Sequence, residues 1–296
     1  MPSLKDVRTR IDSVNSTKQI TSAMKMVAAS KFRKSQNAIH TMRPYAAKLN
    51  EIFQNINESL DQDSIGIYGQ KREINRVLIV PITSNRGLCG AFNSNIIKTV
   101  QRLIASDYAA LNALGKVDIL CIGKKASDYF SKVAVNPIER YDHLFNQLHF
   151  EAVFPLADDL MKRFATKRYD RIVLVYNQFK NASTQIISTE QFLPIGSLKK
   201  EKIQATAQSV DYLFEPGKKE IVEELIPSIL KVQFYKALLD SFAAEHGARM
   251  VAMSQATDNA TEMIKTLKLQ YNKARQAAIT GEILEIVGGA EALKNA

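Results

Sequence analysis

SLKDVRTRIDSVNSTKQITSAMKMVAASKFRKSQNAIHTMRPYAAKLNEIFQNINESL, residues 3–60, decides the fold. The stretch contains no glycine and a single proline, Pro44. Leu4, Val7, Ile11 and Val14 step by three, four and three residues, the spacing of a heptad seam. The seam continues less cleanly through Ile20, Met24 and Val27, then sharpens as Met42, Ala46, Leu49, Phe53, Ile56 and Leu60. Ser3 is the expected N-cap, with Asp6 in the N3 position of the first turn. Pro44 should bend the helix or remove one hydrogen bond. At 1.5 Å per residue such a helix runs roughly 85 Å, whereas a compact body of this mass is about 45 Å across. A helix of that length has to project.

The other end of the chain repeats the pattern. From Lys218 the sequence is again helical, interrupted only by Pro227 and Gly247, and Ile264, Leu267, Tyr271, Ala274 and Ala278 keep the same stepping. Each terminal helix has a one-sided seam and needs a partner, so the two are expected to pair antiparallel. The second is longer by about 18 residues, an overhang of roughly 25 Å. The overhang, QAAITGEILEIVGGAEALKNA (276–296), has five alanines, three glycines and four charged residues. A solvated single helix needs more charge and less glycine. Enclosure by another protein and a frayed tail are the two readings of it.

Between the helices the periodicity changes. RVLIVPIT (76–83), VDILCIG (117–123) and RIVLVYN (171–177) are buried-strand runs, Ala134–Ile138 is a weaker one, and STQIISTEQFLPI (183–195) alternates like an edge strand. Helices are expected from Phe92, after 123, and over 151–166, so strands alternate with helices in a mostly parallel, Rossmann-like sheet. The fold class is therefore α/β plus a long antiparallel α-helical coiled coil. Residues 1–62 and 210–296 form the coil, and 74–196 form the inserted central domain.

Composition excludes several functions. No run of apolar residues is long enough to span a membrane, and the start MPSLKDVRTRID has no apolar core of a signal peptide. A cytoplasmic protein without direct membrane insertion is expected. Cys89 and Cys121, the only cysteines, fit neither a zinc knuckle nor a redox pair. The four histidines form no ligand motif, so no metal site is expected. No catalytic constellation and no cofactor site emerges either. Residues 1–50 carry ten basic side chains against two acids, Asp6 and Asp12, which argues for an acidic partner surface or a polyanion. A basic coiled-coil nucleic-acid binder is the alternative reading. Against it, the charges are interleaved with the seam and lack stacking aromatics beyond Phe32 and Tyr45.

The turn TSNRGLCGAFN (83–93) joins the first strand to a helix, where α/β proteins hold phosphate. It matches neither the dinucleotide nor the P-loop glycine pattern, so it is read as a structural turn with Arg86 available for a protein contact.

RIDSVNSTKQITSAMKMVAASKFRKSQ (10–36), SNRGLCGAFN (84–93) and ARMVAMSQATDNATEMIKTLKLQYNKARQAAITGEILEIVGGA (248–290) resemble, in order, three motifs of the γ subunits of bacterial F-type ATP synthases. Ile279, Thr280, Glu282, Glu285, Gly289 and Ala290 fit the family's terminal pattern, and the resemblance covers essentially the whole chain. It implies a non-catalytic rotor shaft that couples rotation of the membrane c-ring to conformational cycling of the catalytic subunits during ATP synthesis. The implied partners are three α and three β subunits, the ε subunit and the c-ring. The implied location is the cytoplasmic face of the bacterial inner membrane, as a peripheral protein.

Carried over by motif, Met24 and Lys25 lie where the shaft meets the acidic lever loop of β. Arg275, Gln276, Thr280 and Glu282 match the segment that catches β, and Leu284, Ile286, Val287, Ala290 and Leu293 match the apolar bearing tip. Tyr212 and Glu215 match positions near the c-ring. Two positions depart from the family pattern: Asn85, where Asp is frequent, and Gly247, where Ala is commoner and glycine is expected to soften the helix by about 1 kcal/mol. The connection from Pro194 to Pro216 is too short for the dithiol insert of chloroplast relatives, so redox switching is not expected.

Overall fold

The structure, a computed structural model, describes residues 3–58, 67–70, 72–133, 136, 138–145, 148–182, 184–195 and 218–294. They fold into two compact units: Met1–Ala28 with Met250–Ala296, and Ala29–Arg249. Two helices run through both, α1 (Leu4–Glu58) and α6 (Lys218–Lys294). α1 starts as its first turn predicts. The Ser3 hydroxyl accepts the Asp6 N–H at 3.2 Å while the Asp6 carboxylate accepts the Ser3 N–H at 3.3 Å, a reciprocal cap.

The first unit is an antiparallel two-helix coil. Thr21 and Thr257 join hydroxyls at 2.9 Å, and Lys25 Nζ donates to Ser254 Oγ at 2.9 Å. As residue number rises on one helix it falls on the other, which fixes the direction. Val7 is buried on α1, with Leu4, Ile11 and Val14 half-buried. On α6 the predicted seam holds: Leu267 is buried, and Ile264, Tyr271, Ala274 and Ala278 are half-buried.

The middle of the α1 seam departs from the expectation. Ile20 is 60% and Val27 59% exposed, and the strip facing α6 runs through Lys18, Thr21 and Ala28 instead. Heptad stepping from Val14 lands on Lys18 and Thr21, and the helix keeps that phase although the residues are polar. Hydrogen bonds replace apolar packing in this stretch. Met24 stays half-buried beside it.

The second unit has three layers around a five-stranded sheet of order β3-β2-β1-β4-β5. Strands β1 (Val77–Pro81), β2 (Val117–Cys121), β3 (Glu139–Arg140) and β4 (Arg171–Phe179) are parallel, and β5 (Gln185–Leu193) is antiparallel to β4. Of the weak strand expected over 134–138, residues 134, 135 and 137 lie outside the described residues; the strand described after them is the two-residue β3. Asn136 lies ahead of that strand and turns its amide back to the carbonyls of Gly115 and Val117 and to the Asp118 carboxylate. The remaining helices are α2 (Phe92–Ser106), α3 (Ala109–Ala113), α4 (Lys124–Val133) and α5 (Phe150–Ala165).

Strand alternation sorts the core into two halves. Val77, Ile79, Val117, Ile119, Val173 and Val175 face α2 and α4, packing on Ile96, Val100 and Phe130. Leu78, Val80, Leu120, Ile172 and Leu174 face α5, α6 and the Ile39–Met42 segment of α1. α6 is apolar nearly all round from Ile226 to Ala244 because it is enclosed there. Fully burying a side chain such as Phe234 or Leu230 contributes about 2 kcal/mol.

Gly247 has a packing reason. A Cβ there would sit 3.2 Å from the carbonyl oxygen of Ala182, in the β4–β5 hairpin, and 3.3 Å from the Phe32 ring. Its missing side chain lets the hairpin approach α6, so the position is more than a softened turn of helix.

Candidate functional site

Phosphate would have to bind where β1 and β4 diverge, in the crevice beyond their C-terminal ends. That crevice is filled by the chain itself. Cys89, Phe92 and Ala244 pack together there, and the Asn177 side-chain amide donates to the Phe92 carbonyl at 3.2 Å. Arg249 of α6 then clamps the turn. Its guanidinium donates to the Arg86 carbonyl at 2.9 Å, to the Gly87 carbonyl at 3.3 Å, and to Glu245 at 2.7 Å. Ser84, Asn93 and Cys89 close a network beneath the loop, with Asn93 Nδ2 2.8 Å from Ser84 Oγ. Asn85 uses both ends of its amide, donating to the Asp142 carbonyl at 2.7 Å and accepting the Lys124 N–H at 3.0 Å. An Asp would lack the donor half.

The turn therefore presents rather than holds. Leu88 adopts φ +61° with its side chain 62% exposed, beside exposed Arg86. Burial pushes both thiols up, that of Cys121 to about 12, so neither is primed as a nucleophile.

His246 sits in the same buried cluster. Burial, reinforced by the charges of Arg249 and Lys31, pushes its imidazole down to about 3. The unfolded chain binds a proton on this residue near its ordinary pKa while the native chain does not, so stability is lost as pH falls below that value. A His246→Phe variant is expected to lose about 1.5 kcal/mol less than the parent between about pH 6.5 and about pH 5. Urea titrations at both pH values check this, and parallel losses refute it.

In the coil, Lys25 is exposed and hydrogen-bonded to Ser254, and Met24 is half-buried against the seam. Exposed Ile20 and Val27 lie within about 60° of Met24 around α1. With Thr21 opposite Thr257, Leu4 falls level with about residue 274 of α6. Among the described residues, the rest of α6 has no α1 beside it, a length of roughly 28 Å. Arg275, Gln276, Thr280 and Glu282 are all exposed at the start of this length. Arg275 and Glu282 share one side of the helix, with Gln276 and Thr280 on the next.

Beyond them Leu284, Ile286, Val287, Ala290 and Leu293 are exposed, Leu293 at 83%. Ile279 and Ile283, exposed at 48% and 53%, belong with them. At 100° per residue, Ile279, Ile283, Ile286, Val287, Ala290 and Leu293 form one stripe, turned by more than a right angle from the Tyr271–Ala274–Ala278 seam. The stripe is thus a second apolar face, distinct from the coil seam. The reading from sequence missed Ile283, which falls between the seam and tip residues and was signalled only by that change of phase. Tyr212 and Glu215 lie outside the described residues.

An antiparallel coil carrying an inserted three-layer α/β unit, with its outward chemistry on helix flanks and an unpaired helix end, defines a stalk protein. A family model described as ATP synthase matches residues 3–293, and the chain belongs to the family of ATP synthase gamma chains. It is 55% identical to the ATP synthase gamma chain of Cytophaga hutchinsonii over 295 residues, covering 100% of both chains. It is 56% identical to that of Flavobacterium johnsoniae over 294 residues, with 99% of each covered. Two solved structures share the fold. A chain of the Euglena gracilis mitochondrial ATP synthase superposes with TM-score 0.67 at 24% identity, over 98% of this chain and 94% of that one. A central-stalk chain of the Tetrahymena thermophila enzyme does so with TM-score 0.59 at 26% identity, over 80% and 99%. These relatives set the nucleic-acid alternative aside. Among the described residues, no helix is long and apolar enough to cross a membrane.

Proposed function

We propose that this chain is the central rotor shaft of an F-type ATP synthase and works without catalytic side chains of its own. The observation that carries the reading is the second apolar stripe on α6, from Ile279 to Leu293, lying beyond the start of α1. A stripe of that size left in water is unfavourable at about 25 cal/mol per Å², and a sleeve of α and β subunits covers it.

The shaft comprises residues 1–62 and 210–296, with 74–196 as the central domain; that domain and the foot of the coil sit with the ε subunit on the c-ring, which Tyr212 and Glu215 contact. Met24 and Lys25 meet the acidic lever of β, while Arg275, Gln276, Thr280 and Glu282 catch β at the collar. Three α and three β subunits surround the coil at the cytoplasmic face of the inner membrane. A rotating asymmetric shaft stabilises a different conformation of each β in turn, which is how torque becomes a change in nucleotide affinity.

Co-expression with α and β is expected to give one complex with ATPase activity. Removing the residues after Leu284 should change the unfolding free energy of the isolated chain by no more than about 0.5 kcal/mol, because residues 285–291 and 293 are exposed. In the complex, the same truncation should lower assembly yield or torque in single-molecule rotation. Full torque and yield after truncation would remove the bearing role, and failure to associate with α and β would remove the shaft.

A further inference from the structure

Glycine takes two kinds of position in this chain. At Gly123 a Cβ would overlap the Thr83 carbonyl, and at Gly247 it would press on Ala182 and Phe32. At Gly281, Gly288 and Gly289 a Cβ would meet nothing within 4 Å, and none of the three has a positive φ. Neither packing within the chain nor backbone conformation requires glycine there. Each nonetheless weakens the helix. A glycine inside an exposed helix lowers the helical population about fivefold relative to alanine, so the three together lower it about a hundredfold.

Little in this length of α6 restores what they remove. Among the described residues from Ile279 onward, none is buried. Thr280 makes the one side-chain hydrogen bond, to the Gln276 carbonyl of its own helix. Glu282 and Glu285 stand three positions apart and repel each other, with no basic residue one turn away on either side. The coil supplies a nucleus, so winding past Ala278 depends on propagation alone. Propagation is only slightly favourable per residue even for good helix formers. Three glycines and a repelling carboxylate pair bring its product over residues 281–289 far below one.

We propose that the end of α6, from about Gly281 onward, is unwound in the isolated chain and winds into helix only when α and β subunits enclose it. The helix running to Lys294 is the enclosed conformation. The identity of the enclosing partner rests on the proposed function, whereas the weakness of the helix is a property of this chain alone. An unwound end scatters Ile283, Ile286, Val287 and Leu293, so the free chain presents no continuous apolar stripe. Ordering on contact also lowers the affinity gained per unit of buried area, which suits a seat in which a shaft must turn.

Hydrogen exchange by mass spectrometry tests this, comparing the isolated full-length chain with its purified complex with α and β. In the isolated chain the amides of 285–291 should exchange within about tenfold of the rates of an unstructured peptide, and in the complex at least about tenfold more slowly. Greater protection in the isolated chain would overturn the inference and leave the shaft reading intact. Fast exchange in both samples would overturn it together with the bearing seat. Failure to associate with α and β would remove the shaft and, with it, the enclosing partner.

Alanine substitution adds a second arm. Gly281 and Gly288 lie two turns apart, on the side of the helix away from the Ile279–Leu293 stripe, so alanine at both leaves that stripe intact. Gly281→Ala combined with Gly288→Ala should slow exchange over 282–287 in the isolated chain about tenfold. It should also tighten association with α and β about tenfold, because the helix is already wound. Unchanged exchange in the isolated double variant refutes the winding account. Association that is unchanged or weaker refutes the coupling, and a weaker one would mean that the glycines admit a closely approaching partner instead.

Discussion

Arg249→Ala is expected to destabilise the second unit by about 3–5 kcal/mol, the cost of stranding a buried charge. Arg249 is 7% exposed, and its guanidinium serves Glu245 and the carbonyls of Arg86 and Gly87 together. Its loss leaves the buried Glu245 carboxylate and the Gly87 carbonyl without that donor, while the Arg86 carbonyl keeps the Ser84 hydroxyl at 2.7 Å. Burial already pushes the Glu245 carboxyl above its ordinary range, against the opposing charges of Arg249 and Lys31. A carboxyl raised in this way binds its proton more readily in the native chain than in the unfolded one. Its contribution is therefore full at low pH and declines as pH rises through the shifted value. Removing Arg249 enlarges the shift. The deficit of the variant relative to the parent should shrink between about pH 7 and about pH 5, as Glu245 takes up its proton. Denaturant titrations of both proteins at each pH check this, and a deficit below about 1 kcal/mol, or one that grows on acidification, would show that Arg249 is not the clamp.

The second large effect belongs to Gly123, where β2 gives way to α4. Its φ is +99°, and a Cβ would stand 2.0 Å from the Thr83 carbonyl oxygen and 2.7 Å from its carbon. The clash is with backbone that is pinned, because Thr83 N–H donates to the Ile122 carbonyl at 2.8 Å and Ala126 N–H to Thr83 Oγ1 at 3.0 Å. Neither strand can yield without breaking the bridge between their ends. Gly123→Ala should therefore cost about 4 kcal/mol or more, combining a disfavoured φ with steric overlap. Thermal melts would read it as a large drop in Tm or as insoluble protein. A drop no larger than that of an ordinary surface substitution would mean that the β1–β2 junction opens easily.

How much of this the sequence revealed depended on whether the physical signal was local. The coil was legible at Leu4, Val7, Ile11 and Val14 because the seam there is apolar. It was misread at Ile20 and Val27 because the real seam passes through Lys18 and Thr21, and apolar residues one position away attracted the assignment. Strands β1, β2 and β4 were legible as uninterrupted β-branched runs. β3 itself went unread because its two paired residues, Glu139 and Arg140, are charged and carry no strand signal. The turn at 83–93 was rightly seen as structural, but its clamp was invisible. Arg249 lies more than 160 residues from Arg86 in sequence, and a helical arginine has no local mark of being buried. Gly247 was read through helix propensity alone, whereas its neighbours Ala182 and Phe32 come from two distant segments.

The Thr21–Thr257 and Lys25–Ser254 bonds have a consequence for assembly. An apolar heptad seam is nearly indifferent to sliding, since a shift of one heptad sets leucine against isoleucine as before. Polar pairs in the seam are not indifferent, because a slip leaves their donors and acceptors without mates. They act as a key in a slot. One heptad of slip would carry Leu284, Ile286 and Val287 along the axis by about 10 Å, most of the way out of any ring-shaped seat sized for them. Two threonines, a lysine and a serine thus set the axial height of the α6 end, far along the helix from where they sit.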